Sequence, residues 1–506
     1  MFNKFALISV TDKTGIIDIS KFLADAGYSL ITTSGTSRYL SENNIKNTEI
    51  SDFTGFPEIL DGRVKTLHHK VFSGLLADRN NTAHIDEIKK HGFPSIDVVI
   101  CNFYDFNSAS KKKGNEAEAI KNIDVGGVAI TRAAAKNFNS VSILTSPEQY
   151  LSFKTNLSNG SLTYEYRKRL AIEAFRKTAL YDFQISNYFL EAPEFPYKML
   201  KFDGVYNLSY GENPHQSAIL YPTGFDKYFI EQLSGAPISY NNILDINAAL
   251  KLSESFEGEN FCAIFKHTNP CGAAVGVNPC EAYLKAFRCD TVSAYGGVAV
   301  FNKRVDINAA RAVIKNFTEA VAAPEFDEDA QKIFAEKKRI RLIAYSKKNI
   351  NAASELKSTY VGMLVQDSDL ITEKDMNFNS VTSVKAEENL YADIKLGIKI
   401  CKSLKSNAIV LTKSNMSIGL CGGQPNRIES IEISINNARK FGFELENSVL
   451  VSDGFFPFTD SVEIVKNQGI KTIVQPGGSK RDKEVIDACE KYGIALILTG
   501  RRHFLH

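Results

Sequence analysis

Apolar and polar positions alternate with two different periods along the first 195 residues. Phe5-Ala6-Leu7-Ile8-Ser9-Val10 is a short, nearly unbroken apolar run, the pattern of a strand covered on both faces. Residues 15–26 then place Ile16, Ile19, Phe22, Leu23 and Ala26 at helical spacing, and Gly27 ends the helix. Tyr28–Thr33, Asp97–Cys101 and Val141–Thr145 repeat the strand pattern, and residues 163–190 read as one long helix. Strands separated by helices pair in parallel, so a doubly wound α/β sheet is predicted for residues 1–195. Ala192-Pro193-Glu194-Phe195-Pro196 interrupts the periodicity and is the predicted boundary. Residues 196–506 are also mixed α/β, with strands predicted at Phe261–Phe265, Ala408–Leu411, Val449–Val451, Thr472–Val474 and Ile494–Leu498. That region is large enough for two similar subdomains. It shows no low-complexity segment and no short repeat.

Composition narrows the function classes. A chain of 506 residues exceeds what one hydrophobic core serves. No stretch approaches the ~20 apolar residues of a membrane helix. MFNKFALISV lacks a signal-peptide pattern, so a cytoplasmic protein without a membrane partner is expected. Sixty basic against 58 acidic residues leave a net charge of +2, too balanced for a dedicated nucleic-acid binder. Lys111-Lys112-Lys113 is a basic block, read as a solvated loop. None of the eight cysteines forms a CxxC pair, so no zinc site is expected and reduced thiols are.

Candidate chemistry lies after the strands, where doubly wound folds bind ligands. Thr11-Asp12-Lys13-Thr14-Gly15 follows the first strand, and Ser34-Gly35-Thr36-Ser37 the second. Each joins hydroxyls, a glycine and helix-start amides, which suits a phosphate, although simple helix capping explains either loop alone. Gly62-Arg63-Val64-Lys65-Thr66 offers two cations in a glycine-led turn. Cys101-Asn102-Phe103-Tyr104 and Asp124-Val125-Gly126-Gly127 follow, the latter before a helix that holds Lys136. In the second region Tyr210-Gly211-Glu212-Asn213-Pro214-His215-Gln216 forms a polar turn. Lys266-His267-Thr268-Asn269 directly follows a strand, and a His beside a Lys at a strand end suits acid–base work, a structural His being the plainer reading. Further glycine turns stand at Gly296-Gly297, Gly422-Gly423 and Gly477-Gly478. The terminal Arg501-Arg502-His503-Phe504-Leu505-His506 carries an aromatic that suggests a docked end.

These segments resemble, in order and nearly end to end, the bifunctional purine biosynthesis family that joins phosphoribosylaminoimidazolecarboxamide (AICAR) formyltransferase to inosine monophosphate (IMP) cyclohydrolase. SVTDKTG, TSGTS, GRVKTLH, CNFY, DVGG, RAAAKN, YGENPHQ, KHTNPCG, SAYGG, KSNAIVL, DGFFPF and RRHFLH carry the resemblance. It implies a methylglyoxal-synthase-like cyclohydrolase at 1–195. It also implies a formyltransferase of tandem cytidine-deaminase-like subdomains at 196–506, split near 350–380. The deaminases' P-C-x-x-C is absent, so metal-water chemistry is not expected.

By that resemblance His267 takes the proton of the AICAR amine, Lys266 stabilises the oxyanion or aids the leaving N10, and Asn407 holds the carboxamide. Tyr210, His215, Gly296, Asp327, Phe455 and Arg502 match nucleotide contacts. Arg427, Ile428 and Asp460 match the folate side. In the first domain Lys136 matches the catalytic lysine, with Lys65, Tyr104 and Asp124 around it. Thr11, Asp12, Lys13, Ser34, Gly35, Thr36, Ser37, Arg63, Thr66, Cys101, Asn102, Gly126 and Gly127 match nucleotide-binding positions. The implied substrates are AICAR, its formylated product FAICAR, IMP and, as co-substrate, 10-formyltetrahydrofolate. A homodimer is implied, and a structural potassium ion is left open. Ser209 stands where the family commonly has Arg, which leaves the phosphate anchor of the second domain unassigned. An enzyme with one working domain, a silent nucleotide sensor and a zinc deaminase remain as competing readings.

Overall fold

The computed structural model describes residues 4–104, 106, 116–189, 205–222, 228–347 and 354–506. The lysine block at 111–113 and the expected boundary at 192–196 lie outside the described residues. The chain divides into two compact units, Met1–Met199 and Leu200–His506.

The first unit runs β1 (Lys4–Ser9), α1 (Ile16–Asp25), β2 (Tyr28–Thr32), α2 (Ser34–Glu42), β3 (Thr48–Glu49), α3 (Ile50–Thr54), α4 (His69–Leu76), α5 (Thr82–Lys90) and β4 (Ile96–Cys101). It continues through α6 (Glu116–Lys121), α7 (Gly126–Lys136), β5 (Ser142–Leu144), α8 (Gln149–Ser158) and α9 (Tyr164–Tyr188). The sheet order is β3-β2-β1-β4-β5, all parallel. Ala6, Leu7, Ile8, Val98, Val99 and Ile100 are almost fully buried, which is why these strands read as continuous apolar runs. The chain winds outward in both directions from β1 and β4. The crevice of such a sheet lies at that switch point, beyond the carboxyl ends.

The second unit opens with the hairpin β6 (Tyr206–Leu208) and β7 (Ala218–Leu220). Its first half then runs β8 (Tyr228–Ser234), α10 (Tyr240–Ser253), β9 (Asn260–Lys266), β10 (Asn269–Gly276), α11 (Pro279–Cys289), β11 (Gly297–Phe301), α12 (Ile307–Val313), β12 (Thr318–Ala323), α13 (Glu328–Ala335) and β13 (Arg341–Lys347). A second hairpin, β14 (Ser354–Thr359) and β15 (Gly362–Asp367), follows. The second half repeats the pattern: β16 (Asn379–Ser380), α14 (Tyr391–Cys401), β17 (Ile409–Lys413), β18 (Met416–Cys421), α15 (Arg427–Lys440), β19 (Val449–Ser452), α16 (Asp460–Val465), β20 (Thr472–Gln475), α17 (Asp482–Tyr492) and β21 (Ala495–Leu498).

Both halves share one sheet of order β16-β21-β20-β19-β17-β18-β10-β9-β11-β12-β13-β8, joined where β10 and β18 pair antiparallel. Each half places one helix on one face and three helices on the other. On β9, Cys262 and Ile264 face the three-helix side, while Phe261, Ala263 and Phe265 face the single helix. On β17, Ile409 and Leu411 face the first side, and Val410, with Ala408 just before the strand, faces the second. The period-2 alternation of a strand explains both.

The repeat extends to atomic detail. Asn278 and Asn426 each cap the helix after their hairpin, accepting from Glu281 N and Glu429 N. A Cβ on Gly272 would meet the Ala286 carbonyl at 2.0 Å, and one on Gly419 would meet the Ser434 carbonyl at 2.3 Å. Each glycine therefore lets its strand approach the following helix closely. Among the described residues no helix is long and apolar enough to cross a membrane.

Candidate active sites

In the first unit, Asn102 closes the β1/β4 switch point. Its side-chain oxygen accepts from Thr11 N at 2.7 Å, Thr11 Oγ1 at 2.9 Å and Asp12 N at 3.1 Å. Its amide donates to the Asp12 carbonyl at 2.9 Å. Thr36 is buried and bonded to Val10, and Ser37 donates to Asn47, so both side chains hold the loops. Ser34 and Gly35 lie at the amino end of α2, where backbone N–H groups lack intrahelical partners. Lys13 lies over the Tyr39 ring, and Arg63 is exposed in the neighbouring turn.

Asp124 sits across the crevice. Its carboxylate accepts from Gly127 N at 2.7 Å, and its own N–H donates to Tyr181 Oη at 2.8 Å. Burial raises its carboxyl above the usual range, opposed by the Gly127 N–H and the Lys65 charge. A Cβ on Gly126 would meet Thr66 Oγ1 at 2.5 Å, and one on Gly127 would meet Asp124 Oδ2 at 2.5 Å. The glycine pair thus brings Asp124, Thr66 and α7 together. Cys101 is buried against the Gly127 carbonyl, and burial pushes its thiol up to about 12, so it acts as an apolar filler. Tyr104 stands half exposed on the same loop. Lys136 is exposed at the other end of the 11-residue α7. It stands about 15 Å from Gly126 along the helix axis and is not brought to the cluster within this chain.

In the second unit, strand directions decide which residues meet. β10 starts at the edge where β9 ends, and antiparallel pairing brings the end of β18 and the start of β17 to that edge. β19 pairs antiparallel with β17 and ends there too, and β11 starts there. One edge therefore gathers Lys266, His267, Gly296, Asn407, Arg427, Ile428, Phe455, Asp460 and Arg502. Tyr210 joins them through its carbonyl, which accepts from Tyr240 N at the head of α10, and His215 is exposed on the same turn. Asp327 does not join them. It follows β12, at the opposite edge, where it pairs with Arg304.

His267 and Thr268 form the two-residue β9–β10 turn with φ of 53° and 61°. Such a turn requires positive φ at both positions, which glycine and asparagine favour and a His–Thr pair does not. Asp245 holds it, accepting from Thr268 N at 2.6 Å. Burial raises the Asp245 carboxyl, and the Thr268 N–H and His267 oppose that rise. Lys266 Nζ donates to the Tyr295 carbonyl at 2.8 Å. The imidazole is left exposed at a cavity of about 460 Å³ that Lys266, Asn269, Cys271, Asp290 and Ser293 also line. The second half has the same turn at Ser414 and Asn415, with φ of 57° and 60°, held by Asp393. It carries no titratable side chain, so of the two repeated turns only the first offers acid–base chemistry.

Asn407 donates to the Gln424 and Pro425 carbonyls at 3.0 and 3.1 Å, about two strand spacings, or roughly 10 Å, from the His267 turn. Arg427 donates to Ser452 Oγ at 2.8 Å and to Asp453 at 2.6 Å. Ser406 Oγ donates to the other Asp453 oxygen at 2.6 Å, and His503 N to its carbonyl at 3.1 Å. The terminal segment is docked: Ser406 N donates to the Leu505 carbonyl, and His503 is buried against Asp369. Asp453 has no exposed side-chain surface and Arg427 10%. Asp453→Ala is expected to lower the unfolding free energy of the second unit by about 3–5 kcal/mol, read by denaturant titration, because it strands a buried guanidinium.

A family model described as the AICARFT/IMPCHase bienzyme matches residues 134–437, and an MGS-like domain model matches 15–129. Over 99% of this chain and 99% of its own length, the bifunctional purine biosynthesis protein PurH of Persephonella marina is 42% identical. The chain belongs to the AICARFT/IMPCHase bienzyme family. The PurH protein of Thermoanaerobacter sp. is 43% identical over 99% of this chain and all of its own. A solved structure described as the crystal structure of ForH is 32% identical over 37% of this chain and 100% of its own, with a TM-score of 0.33.

Within this bienzyme, sequence reasoning missed the residues that hold the named ones. Glu58 binds both Ser34 Oγ, at 2.6 Å, and Lys65 Nζ, at 3.3 Å. Asp245, Asp453 and Tyr181 are the others. Each lies far along the chain from its partner, and an isolated Asp or Tyr in a helix or at a strand end signals nothing by itself.

Proposed function

We propose that the chain catalyses the last two steps of IMP synthesis, formyl transfer in the second unit and ring closure in the first. In the first reaction the AICAR amine attacks the formyl carbon of 10-formyltetrahydrofolate. His267 takes the amine proton, Lys266 stabilises the oxyanion, and the bond to N10 breaks as the proton passes to N10, giving FAICAR and tetrahydrofolate. Asn407 holds the carboxamide. In the second reaction the carboxamide nitrogen attacks the new formyl carbon and one water leaves, giving IMP. Asp124 is the proton acceptor in the crevice and Lys65 the cation beside it, while the Thr11–Lys13 loop and the first turn of α2, Ser34–Ser37, hold the nucleotide phosphate. Lys136 receives no step from its place in this chain, and Asp327 none in the second unit. The working form is a homodimer on the family resemblance.

One observation carries the reading: a titratable His267 in a left-handed turn pinned by Asp245, beside a tethered Lys266, on the edge that also presents Asn407. The test is to incubate the pure protein with AICAR and 10-formyltetrahydrofolate and follow tetrahydrofolate and IMP together, then to supply FAICAR directly. Both products are expected. Cyclisation of FAICAR without tetrahydrofolate release would leave only the first unit active and refute the assignment to the second.

A further inference from the structure

Helix α9 buries Tyr166, Leu170, Ala171, Ala174, Thr178 and Tyr181 against the first unit. A half-buried lysine, Lys177, interrupts this apolar stripe. A lysine in such a place is costly unless its charge is used. Its ammonium donates to the carbonyl of Thr145, the residue that follows β5 at the carboxyl edge of the sheet. The N–H of Thr145 donates to Gln149 Oε1 at 2.7 Å, so both backbone groups of that loop are held. The groups on other elements whose charge acts on Lys177 are Glu148 before α8, Cys101 at the end of β4 and Asp12 after β1. One turn further along α9, Tyr181 Oη accepts the N–H of Asp124. Residues four apart on a helix share a face, so α9 presents both groups to one crevice. Tyr181 supports Asp124, and Lys177 supports the Thr145 loop while the Asp12 charge acts on its ammonium.

We infer that Lys177 is a positioning residue for ring closure: its ammonium holds the loop after β5 beside the Asp12 loop after β1, and its positive charge is needed for the reaction. This deepens, and rests on, the assignment of ring closure to the first unit. Burial pulls the Lys177 ammonium below the ordinary lysine range, with Glu148, Cys101 and Asp12 opposing. The Cys101 thiol, at about 12, is uncharged near neutral pH, so Asp12 and Glu148 are the working counter-charges. As pH rises through the lowered lysine value the charge is lost, and ring closure falls with it.

The experiment supplies FAICAR to wild type, Lys177→Met and Lys177→Arg and records kcat and KM for cyclisation across the alkaline range, with thermal unfolding of each protein. Lys177→Met is expected to lower kcat about 10–100-fold through misplacement of the crevice loops. Lys177→Arg is expected to retain activity and to move the alkaline limb to higher pH, because a guanidinium keeps its charge. A Lys177→Met protein that cyclises FAICAR at the wild-type rate would overturn the inference. So would a Lys177→Arg protein whose alkaline limb stays in place, since a purely structural tether would not tie that limb to this side chain. A wild-type protein that fails to cyclise FAICAR would remove the reading of the first unit and this inference with it. Wild-type cyclisation beside an unaffected Lys177→Met removes the inference alone.

Discussion

His267→Ala is expected to lower formyl transfer about 10²–10⁴-fold while FAICAR supplied directly is still converted to IMP, because the two reactions occupy different units. The magnitude is that of removing a positioned general base from a poor nucleophile. The AICAR amine delocalises its lone pair into the ring and carboxamide, so it needs help to lose its proton. The residue also occupies a left-handed turn, and Ala is no better than His at a φ of 53°. His267→Asn is the companion variant: Asn accepts that backbone conformation and cannot act as the base. Loss of formyl transfer in both, with unchanged thermal unfolding, assigns the effect to the imidazole. Loss of cyclisation as well, in a folded protein, would refute the two-site arrangement.

Asp124→Asn is expected to lower ring closure about 10²–10⁴-fold and to leave formyl transfer unchanged. Its pH behaviour separates chemistry from folding. The folded-state carboxyl lies above its ordinary value because of burial, partly offset by the Gly127 N–H and Lys65. A group raised on folding contributes stability that is fully present below its unfolded value and lost as pH rises through the folded one. At neutral pH the ionised Asp124 is therefore a cost to the fold. Asn keeps an acceptor for the Gly127 N–H, at 2.7 Å in the native protein, without the charge. Thermal stability at neutral pH should be unchanged or higher in the variant, while cyclisation collapses. In the wild type the acid limb of cyclisation should lie above the ordinary Asp range, because the carboxylate accepts a proton only when ionised. A variant that cyclises FAICAR normally would remove Asp124 from the mechanism.

Much of the first unit was legible as a line of residues. The runs at Phe5–Val10, Asp97–Cys101 and Val141–Thr145 became β1, β4 and β5, and the unpunctuated stretch 163–190 became α9. Parallel strands buried on both faces leave that signature. The two-residue β3 left none, since Thr48–Glu49 has no apolar period to show. In the second unit the strands predicted near Phe261, Ala408, Val449, Thr472 and Ile494 are present, but β6 to β8, β10 to β16 and β18 were not read. Of these, β10, β11 and β12 are rich in Ala and Gly, as in Asn269–Gly276 and Thr318–Ala323, because helices pack closely on them. Small residues weaken the hydrophobic signal that reveals a strand. The same close packing hid the internal repeat, whose halves share Asn caps and close-packed glycines rather than a visible sequence period.

By itself, the sequence determined the chemistry available: Lys266 beside His267 after a strand, Asp124 before a glycine pair, hydroxyl-rich loops opening helices, and a motif order that places the chain in its family. Those signals are local, and a few adjacent residues suffice to make them. Tertiary structure alone decided which groups meet. Antiparallel pairing of β10 with β18 carried Asn407 and Arg427 to the edge of His267 and left Asp327 at the other. The length of α7 separated Lys136 from Asp124. Helix α9 brought Tyr181 and Lys177 beneath loops that precede them by tens of residues. Register, strand direction and helix rise are properties of the assembled sheet, and no short stretch of chain encodes them.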